Sequence, residues 1–225
     1  MIKRGPILII GGASVDKVRA DGEPRSTPGG AGLFTALAAR QAGANVRFFG
    51  FRPDPLPELF AKPASLVPWQ GPACEVEDLP HFEIVYEQDG NARLAAANWG
   101  REETLDPSMI DDSLLDSPLI HIAAIHAPEL QMHFVKSLRS RCDARLSAGT
   151  YGYMARRAPD TVRALMESVD LFFMNEFEQT LVFGDERPTV RPGQILIVTR
   201  GGRGSDIWQG DHCTRVPICP ATPVD

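Results

Sequence analysis

Solid apolar runs and amphipathic stretches take turns along the chain. Pro6-Ile-Leu-Ile-Ile-Gly11 is apolar throughout its interior, which predicts a strand buried on both faces and stopped by Gly11-Gly12. Residues 31–42 predict a helix: Leu33 with Leu37, and Phe34 with Ala38 and Ala42, recur at helical spacing. Gly43 follows as a stop signal. Asn45–Gly50 predicts a second strand, completing the strand–helix–strand unit from which parallel sheets are built.

The middle of the chain changes period. Phe82–Glu87 alternates apolar and polar positions, Asp89-Gly90 supplies a tight turn, and Ala92–Ala97 follows. That order predicts a β-hairpin. A hairpin with one apolar face inside a parallel α/β domain predicts a lid, with the polar stretch 15–27 as its partner.

Beyond it the strand–helix rhythm returns. Asp106-Pro107 reads as an N-cap with proline at the first helical position. Strands are predicted over 118–125, 143–147, 170–174 and 194–199, with short closing strands over 205–209 and 212–216. Helices are predicted over 128–141, with Leu130, Phe134 and Leu138 on one face, over 159–168, and from Asn175 onward. The proline-rich stretch 53–72 is the most irregular segment.

Composition narrows the class. A chain of 225 residues with 43% apolar residues fits one large α/β domain, 1–225. The formal net charge of -6, with no cluster of basic residues, argues against nucleic acid or an anionic membrane as partner. The run Ile7–Ile10 is too short for a signal-peptide core or a membrane span, so a soluble, cytoplasmic protein is expected. Cys74, Cys142, Cys213 and Cys219 form no C-x-x-C pair, and are expected to be reduced thiols in or near the core.

Ligands of open α/β sheets bind at the carboxyl ends of the strands. The residues following the predicted strands there include Gly11–Asp16, His126, Asn175 with Glu178, and Thr199-Arg-Gly201-Gly-Arg-Gly204. Their acidic and glycine-rich character suits a charged, metal-bound ligand such as a nucleotide. Pro28-Gly29-Gly30-Ala31-Gly32 leads into a helix N-terminus, where free amides favour oxygen-rich groups. Each motif also has a plainer reading: a packing turn for the glycines, a turn residue for Asp16, a helix cap for Asn175. Neither G-x-G-x-x-G nor G-x-x-x-x-G-K-[ST] occurs. The second strand ends in Phe49-Gly50-Phe51 rather than an acidic residue, which disfavours a Rossmann-type oxidoreductase.

Taken in order, these pieces resemble the ribokinase-like (PfkB) family of carbohydrate and nucleoside kinases. Gly29-Gly30 with Ala36, Ala38, Gly43 and Phe49-Gly50 resembles the family's first signature. Asp170-Leu-Phe-Phe-Met-Asn175-Glu-Phe-Glu178 is similar to its N-x-x-E motif, and Ile197-Val-Thr199-Arg-Gly201-Gly-Arg-Gly204 to its nucleotide-binding strand and loop. The chain departs from the pattern at Phe34, where asparagine is usual, at Phe51–Pro57, and at Ala148–Tyr151.

The resemblance implies a three-layer α/β/α sandwich with a mostly parallel central sheet and a small β lid. It implies ATP-dependent transfer of the γ-phosphate to a hydroxyl of a sugar, nucleoside or related polyol. Asp16, Gly29, Gly30, Phe34 and His126 fall at the acceptor, and Asn175, Glu178, Thr199, Gly201, Gly204 and Asp225 on the nucleotide and phosphate side. Glu178 is the expected magnesium residue, a monovalent cation is expected near Asp225, and lid strands are expected to pair two subunits. The family's catalytic base is expected a few residues past Asp225, so the chain by itself is expected to be inactive. The alternative is a non-catalytic ligand- or nucleotide-binding regulator on the same fold.

Overall fold

The computed structural model describes residues 5–19, 23–86 and 92–220. The Asp89-Gly90 turn and Asp225 lie outside the described residues. The chain divides into two compact units, residues 1–144 and 145–225.

The first unit is built on four parallel strands. β1 (Ile7–Ile10) lies between β10 (Leu119–Ile122) and β4 (Val46–Phe49), and β4 pairs in turn with β6 (Trp69–Gln70). Leu8, Ile9 and Ile10 are at most 2% exposed, as expected of a central strand covered on both faces. Burying each such side chain stabilises the fold by about 1.5–3 kcal/mol. Helix α1 (Ala31–Gln41) buries Gly32, Leu33 and Ala36. The sequence pairs Phe34 with Ala38, and that stripe instead faces outward: Phe34 is 53% exposed.

The hairpin forms as its alternation predicts. β8 (His81–Tyr86) and β9 (Ala92–Asn98) are antiparallel, and β8 lies parallel to β2 (Ser14–Arg19). β2 pairs antiparallel with β3 (Arg25–Gly29), giving a four-stranded lid sheet with β3 and β9 at its edges.

Other expectations are corrected. The irregular stretch 53–72 contains helix α2 (Glu58–Leu66), which tolerates Pro63 inside it, and is flanked by a small parallel pair, β5 (Arg52–Pro53) with β7 (Ala73–Cys74). Asp106-Pro107 opens a single 3₁₀ turn, Pro107–Met109, in which Asp106 Oδ1 accepts the Ser108 amide at 2.8 Å. Helix α3 (Pro128–Arg141) forms, but its buried face includes Gln131 and Val135 beside Phe134 and Leu138. The Gln131 amide is accommodated by donating to the Ala123 carbonyl at 2.9 Å. Of the cysteines, Cys74 is buried and Cys142 partly so, while Cys213 and Cys219 are exposed.

In the second unit β11 (Arg145–Gly149), β12 (Leu171–Asn175) and β13 (Ile195–Thr199) run parallel, and β14 (Ser205–Gln209) and β15 (His212–Val216) continue antiparallel. Helices α4 (Gly152–Arg157), α5 (Pro159–Ser168) and α6 (Glu176–Phe183) join them. The short helix α4 was not predicted. No helix among the described residues is long and apolar enough to cross a membrane.

Candidate active site

In the first unit, Asp16, Gly29 and Gly30 are brought together at the carboxyl end of β1. Asp16 is 5% exposed, and its carboxylate lies directly over the Cα of Gly29, where any Cβ would collide with it. Ser14 Oγ donates to Asp16 Oδ1 at 2.6 Å. Loss of hydration raises the Asp16 pKa above its ordinary value, against the opposing pull of the Ser14 hydrogen bond and of His81. A desolvated carboxylate with one hydroxyl partner keeps accepting capacity for a polar ligand.

Gly30 caps α1 with φ of 99° and no side-chain cap. A Cβ there would sit 2.5 Å from the Gly12 carbonyl, so glycine serves both the left-handed backbone and the close approach. The Leu33 amide donates to the Gly12 carbonyl at 3.2 Å, tying the helix start to the turn after β1. Phe34 stands on the first turn of α1 and presents apolar surface there.

His126 lies in the turn after β10, the strand next to β1. Its φ is 32°, unusual outside glycine. Its ring meets Trp99 edge-on at 5.8 Å, and Nε2 lies 3.5 Å from Glu103 Oε2. The buried Nδ1 has no hydrogen-bond partner among the described residues.

Sequence reasoning missed Glu102. It is 6% exposed, accepts the His126 amide at 2.7 Å through Oε2, and lays Oε1 against the Cα of Gly12. Burial pushes its pKa up to about 7, the His126 hydrogen bond opposing the rise. In Gly100-Arg-Glu-Glu-Thr104 it looks like any polar loop glutamate, and only its burial distinguishes it from Glu103.

In the second unit, Asn175 and Thr199 are register partners at the carboxyl ends of neighbouring strands β12 and β13. The structure thus brings together Asn175, Glu178, Thr199, Gly201 and Gly204. Asn175 is the N-cap of α6 in a full capping box: its Oδ1 accepts the Glu178 amide at 2.8 Å, and Glu178 Oε2 accepts the Asn175 amide at 2.8 Å. Glu178 Oε1 also accepts from Asn175 Nδ2 at 2.8 Å. Glu178 is 5% exposed, and burial raises its pKa.

After Thr199 the chain makes a one-turn 3₁₀ loop, Gly201–Arg203, closed by Arg200 N–H to the Gly204 carbonyl at 2.8 Å. The Cα positions of Gly201 and Gly202 face open space, while Gly204 packs on the Val216 carbonyl. Arg200 braces the loop through Asp206 at 2.6 Å and Gln179 at 3.2 Å, and Arg203 pairs with Glu176. Arg215 and Arg200 together hold the Asp206 carboxyl below its ordinary range.

Comparison with known proteins bears on the fold. No family model matches the chain. The chain is 27% identical over 235 residues to the cytidine kinase of Thermococcus kodakarensis, covering 97% of this chain and 82% of that protein. Among solved structures, adenosine kinase from Sinorhizobium meliloti superposes with a TM-score of 0.84 at 18% identity, over 99% of this chain and 82% of that one. Ribokinase from Giardia lamblia superposes with a TM-score of 0.80 at 20% identity, over 97% and 78%. A Burkholderia thailandensis nucleoside kinase in complex with inosine gives 0.76 at 16%, over 98% and 77%. The chain therefore has the ribokinase-like α/β fold, the fold of the sugar and nucleoside kinases that it resembles.

Proposed function

We propose that the protein is an ATP-dependent phosphotransferase acting on a hydroxyl of a nucleoside or sugar. The observation that carries this reading is the 27% identity to a cytidine kinase over 97% of the chain. It is supported by strand-end clusters whose chemistry suits an acceptor in one unit and a nucleotide in the other.

Phosphoryl transfer asks the protein mainly to position and to stabilise charge. Asp16, fixed over Gly29 by Ser14, accepts hydrogen bonds from acceptor hydroxyls. The free amides at the start of α1 offer donors beside it. On the nucleotide side, the open backbone of Gly201 and Gly202 after Thr199 leaves room for phosphate or ribose oxygens. Strands β8 and β9, closing as a lid, exclude water that would compete as phosphate acceptor.

Both oxygens of Glu178 already accept bonds from Asn175. That donor set fits a hydrated magnesium ion held through water, the usual state of this cation. Magnesium, when bound, neutralises charge on the transferring phosphates. None of the described residues is assigned as the base. The exposed edge of the lid at β9, where Leu94 is 49% exposed, supports pairing of subunits through the lid.

The test is calorimetric titration with cytidine, adenosine, inosine and ribose, with and without MgADP, followed by mass detection of phosphorylated product. Saturable binding of one acceptor and its ATP-dependent phosphorylation are expected. Binding of neither acceptor nor adenine nucleotide overturns the reading. A second reading, a non-catalytic binding protein on this fold, is favoured by Phe34 standing exposed on the first turn of α1. It predicts binding without product.

A further inference from the structure

Four carboxylates are buried among the described residues: Asp16, Glu102, Glu178 and Asp206. Two have partners on both oxygens, the Asn175 capping box on Glu178 and the guanidiniums of Arg200 and Arg215 on Asp206, and Asp16, the acid assigned to the acceptor, has the Ser14 hydroxyl on Oδ1. Glu102 has the backbone amide of His126 on Oε2 alone, and among the described residues nothing hydrogen-bonds to Oε1.

A carboxyl drawn from water needs its lone pairs satisfied, and Oε1 is left for solvent or a ligand to satisfy. Its place is also informative. Glu102 bridges the turn after β1, through Gly12, and the turn after β10, through His126, and these strands are parallel neighbours. The carboxyl ends of adjacent parallel strands are where open α/β sheets take their ligands. Gly12 leaves room for the carboxyl, since any Cβ there would collide with Oε1. The His126 backbone, at φ of 32°, holds a sparsely populated conformation while its amide donates to Oε2.

We propose that Glu102 is a second acceptor-reading carboxyl of this rim, anchored through Oε2 and offering Oε1 to a hydroxyl or amino group of the acceptor. The inference rests on the kinase reading and adds a contact that the sequence did not single out. A carboxyl whose pKa is raised to about 7 is both donor and acceptor near neutrality, so it suits a partner of the same kind. A sugar hydroxyl and the amino-imine edge of a nucleobase share that chemistry. The ionisable groups beside it are Arg101 and Glu103 on its own turn and His126 across from it. Arg101 is engaged with Asp78 at 3.4 Å.

The test compares wild type, Glu102→Gln and His126→Asn by calorimetry with cytidine, adenosine and ribose at pH 6 and pH 8. Glutamine keeps an acceptor for the His126 amide but loses the exchangeable proton of Oε1. We expect Glu102→Gln to weaken acceptor binding at least tenfold and to flatten its pH dependence. ADP binding should hold, the melting temperature of Glu102→Gln should not fall below wild type at either pH, and His126→Asn should keep the pH dependence. Comparing cytidine with ribose tells a base contact from a sugar contact. In wild type carrying ¹³C-glutamate, the Glu102 carboxyl resonance should move when acceptor is added, a readout that needs no variant. Acceptor binding within twofold of wild type in Glu102→Gln, with the resonance unmoved, overturns the proposal and leaves Glu102 as a brace between two turns. Failure of wild type to bind any acceptor or nucleotide overturns the kinase reading itself, a result distinct from the first.

Discussion

The carboxylate of Asp16 rests on the Cα of Gly29, two residues that the lid sheet brings together from neighbouring strands β2 and β3. The glycine leaves room for the acid, and the strand pairing fixes where the acid sits. Burial raises the Asp16 pKa, so its charged form is held at a cost that only a ligand or a solvating hydroxyl offsets. Asp16→Asn should therefore leave the melting temperature unchanged or higher. It should weaken acceptor binding by about 10–100-fold, the worth of hydrogen bonds to a charged group. Paired calorimetry and thermal melts check both halves.

Gly30→Ala should destabilise the first unit by about 1–3 kcal/mol. The cost combines a left-handed backbone with overlap against the Gly12 carbonyl. Because the Leu33 amide is tied to that carbonyl, the start of α1 should move as well, and acceptor binding should fall with stability. Urea denaturation gives the first quantity and titration the second.

Glu102 gives a pH signature of definite sign. Its folded pKa is about 7 against an ordinary value of 4.5. Between these values the folded state keeps a proton that the unfolded chain releases. Stability from this group is therefore full below about pH 4.5 and is lost as pH rises through 7, to a total of about 3 kcal/mol. Urea midpoints at pH 5 and pH 8 should differ more in wild type than in Glu102→Gln, in which this slope disappears.

Asn175→Ala removes the side chain that caps α6 and steadies Glu178. Loss of an N-cap of this kind costs about 0.5–2 kcal/mol. With Oε1 of Glu178 freed of its partner, ADP affinity should become less responsive to magnesium. Melting curves and titrations with and without magnesium test the pair of effects.

Much of this was legible in the sequence. The run Ile7–Ile10, the alternation of residues 82–86 and the apolar stretches before Asn175 and Thr199 each carry a period that backbone geometry imposes, and each became the strand it predicts. The helix cap at Asn175 was legible because a cap acts locally, and the structure extends it to a full capping box with Glu178. What stayed hidden depends on tertiary context. Glu102 is marked only by its burial between two turns that are distant in sequence. Helix α2 was hidden by its prolines, since Pro57 precedes its first turn and Pro63 sits inside it. Phe34 and Ala38 share the helical spacing of the true core face at Leu33 and Ala36, and period alone does not say which stripe meets the sheet.

The most direct test of the account is a double titration: acceptor into the protein in the presence of a non-hydrolysable MgATP analogue, and the analogue into the acceptor complex. The account predicts saturable binding of both, each tightening the other, with acceptor binding weakened by about 10–100-fold in Asp16→Asn and nucleotide binding retained. Binding of an acceptor that is indifferent both to Asp16 and to the nucleotide would contradict it.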